Sequence, residues 1–122
     1  MTRLQIRRVY DPPLPDGGTR ILVDRLWPRG IAKDKARIDL WLKDIAPSDA
    51  LRKRFHGKEE DWEEFRKAYA QELKGATAQA AAKILLNHLC SGPVTLLYAA
   101  RDERHNNALA LQAWLKRKAK RK

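Results

Sequence analysis

Two short apolar runs, each bounded by polar or turn-forming residues, stand out along the chain. One extends from Thr19 to Asp24, and the other extends from Val94 to Ala99. Short runs without alternation are typical of strands that are covered on both faces, as in parallel sheets. Residues 4–10 alternate in part between apolar and polar side chains and predict a third strand. The three prolines in segment 11–18 lack backbone donors, and the segment contains Pro-Asp-Gly, so it predicts a loop.

Apolar residues at helical spacing follow in the middle of the chain and again near its end. The stripes that predict helices are Ile38, Trp41, Leu42 and Ile45, ended by Pro47; Leu51 and Phe55 after a candidate N-cap at Ser48; Trp62, Phe65, Tyr69 and Leu73; Ala81, Ile84, Leu85, His88 and Leu89 after a candidate cap at Thr77; and Ala108, Leu111 and Leu115.

Strands that alternate with helices predict an α/β fold. We expect a small, largely parallel sheet flanked by helices in three layers, with strands 19–24 and 94–99 as parallel neighbours. A chain of 122 residues is within the size range of one domain. We therefore expect a single domain over residues 1–115 and a basic carboxyl-terminal tail over residues 116–122.

The formal net charge of +11 is concentrated in that tail. Six of the residues from Lys116 to Lys122 are basic, which leaves 20 basic residues against 15 acidic ones in the rest of the chain. Dense like charge repels itself, so we expect the tail to fray into solvent. An arm that contacts phosphate groups is the alternative.

The remaining composition narrows the class of protein. The single cysteine, Cys90, cannot form an internal disulfide, and this is typical of a reducing compartment. No stretch of the sequence resembles a signal peptide or a membrane span, so we expect a cytoplasmic protein without membrane contact. The sequence contains no paired thiols at metal-ligand spacing and no nucleotide-loop, zinc-protease or serine-hydrolase motif. We accordingly predict neither a metal nor a cofactor.

Polar side chains follow the predicted strands at the points where these strands end. They are Tyr10 and Asp11 after the first strand, Asp24, Arg25, Trp27 and Arg29 after the second, and Tyr98 with residues 101–107 around the end of the third. Ligands of open parallel sheets bind outside the carboxyl ends of the strands. A helix amino terminus and an arginine fork both favour anions. We expect Gly30 to permit close approach of the backbone at this edge.

Each of these residues also has a structural alternative. Asp24 and Arg25 could form an ion pair that fixes a loop. Trp27 with Pro28 could be a hydrophobic lid on the core. Asp102 could cap the last helix. His105 is a candidate base without an evident nucleophile beside it.

Four segments together resemble the YeaO-like branch of the domain-of-unknown-function 488 family over nearly the whole chain. They are RVYDPPLPDGGTRILVDRLWPRGIAK, WLKDIAPSDALRKRFHG, WEEFRKAYAQEL and VTLLYAARDERHNNALAL. The resemblance supports the fold and implies no established activity. Many longer members carry a cysteine where this chain has Tyr98, in a strand–loop–helix arrangement like the active sites of rhodaneses and cysteine phosphatases. A phenol is a poor nucleophile near neutral pH, so the tyrosine argues against covalent thiol chemistry.

What the resemblance carries over is a set of residues suited to hold an anion: Asp24, Arg25, Arg29, Asp102, His105 and Asn106. We therefore predict a site for a small phosphate- or carboxylate-bearing ligand, and whether it catalyses a reaction stays open. In this hypothesis Asp24 orients Arg25 or a polar ligand group, and Arg29 pairs with the anion. Tyr98 donates a hydrogen bond, His105 is a donor or base, and Asn106 completes the site with the helix start.

The alternative hypothesis is a nucleic-acid-associated protein that uses the basic tail with Arg3, Arg7 and Arg8. We expect any such binding to be weak, nonspecific, dependent on the tail and steeply reduced by salt, because each neutralised phosphate releases counterions. A salt titration of fluorescent DNA and RNA, comparing the full chain with one that ends at Leu115, measures this. Equal and salt-resistant binding by the shorter chain would contradict a tail-dependent mode.

Overall fold

Four parallel strands form one sheet at the centre of the protein. The computed structural model describes residues 4–13, 15–32, 37–55, 59–101 and 103–120. The strands are β1 (Leu4–Arg8), β2 (Thr19–Leu22), β3 (Leu40–Trp41) and β4 (Val94–Tyr98), in the spatial order β1-β4-β2-β3. β2 and β4 are parallel neighbours, as predicted. The predicted α/β class with a largely parallel sheet is confirmed.

Four α-helices accompany the sheet in the described part of the chain. They are α1 (Asp49–Arg54), α2 (Trp62–Glu72), α3 (Ala76–Ser91) and α4 (Asn107–Lys120). The predicted cap at Ser48 is confirmed, because its hydroxyl oxygen accepts the backbone N–H of Leu51 at 3.1 Å. The predicted cap at Thr77 is wrong, since α3 already begins at Ala76 behind Gly75. Among the described residues, no helix is both long enough and apolar enough to cross a membrane.

The direction of the chain across the sheet decides what covers each face. The connections from β1 to β2 and from β2 to β3 move one way across the sheet, and the connection from β3 to β4 moves back. Right-handed crossovers put connections of opposite direction on opposite faces. The connection from β3 to β4 contains α1, α2 and α3, and these helices cover one face. The last helix, α4, joins them there, so the main core contains side chains of all four helices packed with Ile21 and Leu96. On the other face, Leu22 and Leu97 are covered by loop side chains such as Trp27.

The predicted helix over residues 38–45 is wrong. This segment forms the edge strand β3 and a short 3-10 turn, Lys43–Ile45. The backbone N–H of Leu42 donates to the carbonyl of Leu22 at 2.9 Å, which continues the pairing with β2. Trp41 packs on the loop face, whereas Leu42 and Ile45 enter the main core. The helical spacing arose because this short segment sends side chains to both faces of the sheet.

The basic tail begins as a continuation of α4. The helix extends beyond Leu115 to Lys120, so residues 116–120 are helical rather than frayed. Lys118 donates to Gln79 Oε1 at 3.3 Å and lies 4.8 Å above the ring centroid of Trp114. The boundary proposed at residue 115 stays a prediction.

Two glycines adopt positive φ angles for different reasons. Gly18 has φ of 65°, and a β-carbon on it would lie 2.1 Å from the carbonyl oxygen of Pro93. Gly30 has φ of 76°, but a β-carbon there would meet nothing within 4 Å. No described part of the protein therefore approaches Gly30 closely, whereas the backbone does approach Gly18, where the loop enters β2.

These two glycines make a matched pair for a stability test. Gly18→Ala should lower the free energy of unfolding by about 2–4 kcal/mol, because the strained φ adds to a backbone clash. Gly30→Ala should lower the free energy of unfolding by only about 1–2 kcal/mol, because it has the strained φ without a backbone clash. Urea unfolding followed by circular dichroism measures both variants. Equal losses would contradict the close contact between Gly18 and Pro93.

Candidate functional site

A cleft of about 420 Å³ lies at the carboxyl ends of β2 and β4. Its lining comes from the loops after the strands and from the facing ends of α1, α2 and α4: Tyr10, Asp24, Arg25, Leu26, Trp27, Pro28, Arg29, Pro47, Arg52, Phe55, Trp62, Phe65, Ala99, Ala100, His105, Asn106 and Asn107. We call this concavity the strand-end cleft.

The strand-end cleft brings together most of the residues predicted to form the site. Asp24, Arg25, Arg29, His105 and Asn106 all line it. Tyr98, by contrast, is only 3% exposed, belongs to the main core and is not among the lining residues. Asp102 lies outside the described residues.

The carboxylate of Asp24 connects the ends of β2 and β4. Its Oδ2 accepts the backbone N–H of Ala99 at 2.8 Å, and its Oδ1 accepts Nδ2 of Asn107 at 3.0 Å. The same Asn107 amide donates to the carbonyl of Val23 at 2.9 Å. Burial raises the pKa of Asp24 above its ordinary value, although the bonds from Asn107 and Ala99 and the charge of Arg52 oppose that rise. Asp24 therefore holds the site together through neutral donors.

Arg25 serves the loop that precedes α1. Its Nε donates to the carbonyl of Pro47 at 3.2 Å, and its Nη2 donates to the carbonyl of Ala46 at 3.1 Å. The alternative of an Asp24–Arg25 ion pair is wrong, because Arg25 donates to backbone carbonyls and Asp24 accepts the backbone N–H of Ala99 and the side-chain amide of Asn107. The sequence, with an acid and an arginine at a strand end, correctly suggested that both residues fix loops. It could not show that Asp24 and Arg25 bind different partners.

Asn106 caps the last helix. Its Oδ1 accepts the backbone N–H of Leu109 at 2.8 Å, and its side chain is buried. Asparagine is among the preferred N-cap residues because this bond satisfies an otherwise unpaired donor. The capping role that the sequence suggested for Asp102 thus belongs to Asn106.

Trp27 forms the wall of the cleft on the side of the loop face. Its Nε1 donates to the carbonyl of Ile31 at 2.7 Å, and its ring meets Trp41 edge-on at 5.4 Å. It packs on the small cluster of Val9, Leu22 and Leu97. This packing agrees with the lid interpretation, and the same residue also lines the cleft.

Besides Arg25, two more arginine side chains give the cleft positive charge. Arg29 is exposed, and its backbone carbonyl accepts the hydroxyl of Tyr10 at 3.1 Å. Arg52, on α1, has Nη2 at 3.3 Å from Asp49 Oδ1, in a pair that is largely exposed. Such exposed pairs contribute little stability and exchange partners readily. No sequence pattern predicted Arg52 as a site residue, because only the docking of α1 against the strand ends brings it here.

Aromatic rings form the wall opposite Trp27. Trp62 and Phe65 stack with ring centroids 5.7 Å apart, and Phe55 meets Phe65 edge-on at 6.2 Å. His105 meets Trp62 edge-on at 5.3 Å. The helical stripe correctly identified the apolar side of α2. The stripe could not show that Trp62 and Phe65, near the start of α2, line a cleft instead of packing wholly inside the core.

The described lining residues limit the chemistry of this cleft. None of them is a cysteine, serine, threonine or lysine, so the thiol, aliphatic hydroxyl and amine nucleophiles of covalent catalysis are not among them. Within the described ranges, no group of three or more histidine, cysteine or acidic side chains is arranged to hold a metal ion. What these residues can do is bind and orient a ligand with arginine forks, a histidine and aromatic faces.

Surface arginines that the nucleic-acid hypothesis used are engaged with the backbone. Arg7 Nε donates to the carbonyl of Pro12 at 3.0 Å. Arg8 donates through Nε to the carbonyl of Ala100 at 2.9 Å and through Nη2 to that of Ala99 at 3.2 Å. Arg3 lies outside the described residues. Arg7 and Arg8 thus have structural contacts that a nucleic acid would have to share.

The fold and the cleft together define a small parallel α/β protein with a concavity at the carboxyl ends of its strands. A family model described as "Inactive DUF488-N3 subclade" matches residues 3–122, and the chain belongs to this subclade of the domain-of-unknown-function 488 family. The resemblance to the YeaO-like branch is thereby confirmed.

Named relatives agree with this membership. The chain is 47% identical over 113 residues to the uncharacterized protein YeaO of Escherichia coli, across 93% of this chain and 96% of that relative. It is 44% identical over 94 residues to the uncharacterized proteins Mb3100c of Mycobacterium bovis and Rv3073c of Mycobacterium tuberculosis, across 77% of this chain and 80% of each relative. No solved structure matches the chain at a significant level.

The two bonds accepted by Asp24 predict the effect of an isosteric change. Asp24→Asn should lower the free energy of unfolding by about 1–3 kcal/mol near pH 4, because its amide nitrogen would face a donor. The folded chain holds the Asp24 proton more tightly than the unfolded chain does, since burial raises the pKa above 3.8. Raising the pH above that value therefore destabilises the wild type relative to the variant.

The deficit of Asp24→Asn should accordingly shrink as the pH rises through the window between the ordinary pKa and the raised one. Urea unfolding of both proteins at several values from about pH 4 to about pH 7 measures the difference. A deficit that grows with pH would mean that the folded-state pKa of Asp24 lies below its ordinary value.

Proposed function

We propose that the protein binds a small anionic ligand, bearing a phosphate or a carboxylate, in the strand-end cleft. The observation that carries this proposal is an imbalance of charge. The lining contains three arginines, whereas Asp24 is the one carboxylate among the described lining residues and already accepts two N–H groups. An anion would supply the charge that the cleft lacks.

The three arginines would have two different roles, because one stabilises the cleft and the other two bind the ligand. Arg25 has its Nε and Nη2 on backbone carbonyls and keeps the loop before α1 in position. Arg29, which is exposed, and Arg52, whose pair with Asp49 is exposed, are the groups we assign to the anion. A guanidinium presents two parallel N–H groups that match the oxygens of a phosphate or carboxylate.

The start of α4 adds a second source of positive potential. His105 and Asn106 line the cleft immediately before the first residue of this helix. The amino-terminal end of a helix carries partial positive charge, which favours anions within its first turn. We assign His105 a donor role toward the ligand, beside its contact with Trp62. Tyr98, which is buried in the main core, keeps no ligand role in this proposal.

Binding without covalent chemistry is the form of the proposal that the family supports. The description of the subclade as inactive agrees with a cleft whose described lining contains no cysteine, serine, threonine or lysine. We further propose a reducing, cytoplasmic setting, on the evidence of a single cysteine in the sequence.

Alanine at Arg29 or His105 should change ligand binding more than stability. Without ligand, either variant should stay within about 0.5 kcal/mol of wild type, because both side chains lie on loops outside the core. The stabilisation that wild type gains from inorganic phosphate or from phosphorylated and carboxylated metabolites should be lost, because ligand linkage requires the bound contacts. A thermal-shift screen measures both effects.

Lys83→Ala is the matched control, because it removes one exposed positive charge on α3, outside the cleft lining. It should keep the full response to ligand. If Arg29→Ala and His105→Ala respond to the ligand like wild type, the anion binds elsewhere. If both unfold far below wild type, the polar cluster is structural.

A further inference from the structure

The aromatic side of the strand-end cleft is larger than anion binding alone requires. Phe55, Trp62 and Phe65 line the cleft side by side, and none of the three is fully buried. Partly exposed aromatic rings in a concavity keep apolar surface in contact with water unless something covers them. Small-molecule sites typically combine such walls with a few polar groups.

This aromatic wall is fixed from behind. Phe65 lies against Tyr69, with ring centroids 5.8 Å apart, and the Tyr69 hydroxyl donates to the carbonyl of Ile45. Tyr69 is 1% exposed. The wall is therefore anchored to the main core and presents a preformed surface, which reduces the ordering that a ligand must impose.

The positive charge lies beside the aromatic wall rather than at a distance from it. Arg52 and Phe55 belong to the same short segment at the end of α1, and both line the cleft. Across the cleft, Trp27 is held by its bond to Ile31, and Leu26 at the rim is 58% exposed. A volume of about 420 Å³ falls in the range of about 300–1,000 Å³ that is usual for small-molecule sites.

We propose that the ligand of this cleft carries a planar aromatic or heteroaromatic ring next to its anionic group. The ring packs against Trp62 and Phe65, and the anion faces Arg29 and Arg52. This inference rests on the proposed function and adds a ligand class to it. Aryl carboxylates and nucleoside monophosphates share this chemistry, and the test below separates these two sources.

Matched ligand pairs test the ring and the charge separately. Phenyl phosphate should bind at least roughly tenfold more tightly than inorganic phosphate. Benzoate should likewise bind more tightly than cyclohexanecarboxylate. In each pair only the first ligand has an aromatic ring that can stack on the aromatic wall. Benzamide, which has the ring without the charge, should bind more weakly than benzoate. Adenosine monophosphate is compared with benzoate, and the tighter of the two identifies a nucleoside monophosphate or an aryl carboxylate as the source. Isothermal titration calorimetry measures each affinity with the wild-type protein.

Trp62→Leu gives the matching change in the protein. The advantage of phenyl phosphate over inorganic phosphate should fall by roughly tenfold toward parity, because leucine cannot stack on the ligand ring. Trp114→Leu is the control, because Trp114 packs partly against the core from α4 and does not line the cleft. Phe55→Leu is the second variant if Trp62→Leu does not fold, and it should reduce the same ratio.

The possible failures are distinguishable. Equal affinities for phenyl phosphate and inorganic phosphate would overturn the ring inference and leave anion binding standing. Benzamide that binds as tightly as benzoate would overturn anion binding. The absence of measurable binding by every probe would overturn both. An unchanged affinity ratio in Trp62→Leu and Phe55→Leu would mean that the ring does not pack on this wall.

Discussion

The hydrogen bonds of the Asp24 carboxylate connect the elements on which the whole site depends. Through Ala99 and Asn107 they join the end of β2 to the loop after β4 and to the first residue of α4. The Asp24 carbonyl also accepts Nε1 of Trp41 at 2.7 Å, which adds the edge strand β3. A partly desolvated carboxylate is stable in this position only because neutral donors satisfy it. The same bonds leave the arginines around it available for other partners.

The topology of the sheet explains why the cleft has two unlike walls. Chain connections that move in opposite directions lie on opposite faces, so loops cover one face and helices cover the other. Where the faces meet at the carboxyl ends of the strands, Trp27 approaches from the loop side and Trp62 from the helical side. Both faces of the sheet therefore contribute aromatic side chains to the lining of the cleft. The basic groups enter from the loop after β2 and from α1.

Membership of an inactive subclade is consistent with the position of Tyr98. The family resemblance of the sequence implied a cysteine at this position in longer members. In this chain the tyrosine ring is packed into the core beneath the helices. The strand–loop–helix arrangement of this chain therefore has a buried tyrosine at the end of β4. The concavity beside the amino terminus of α4 is the feature on which the proposed anion binding rests.

The sequence by itself determined the strands β1, β2 and β4, the apolar sides of the helices and the polar strand ends, because each depends on local spacing or on residue type. It predicted Asp24, Arg29 and His105 as neighbours, since the carboxyl ends of parallel strands share one edge of a sheet. Only the tertiary structure decided that residues 40–41 form an edge strand and that Arg52 and the aromatic wall face the cleft. These features depend on how separate segments pack, and no local pattern encodes that.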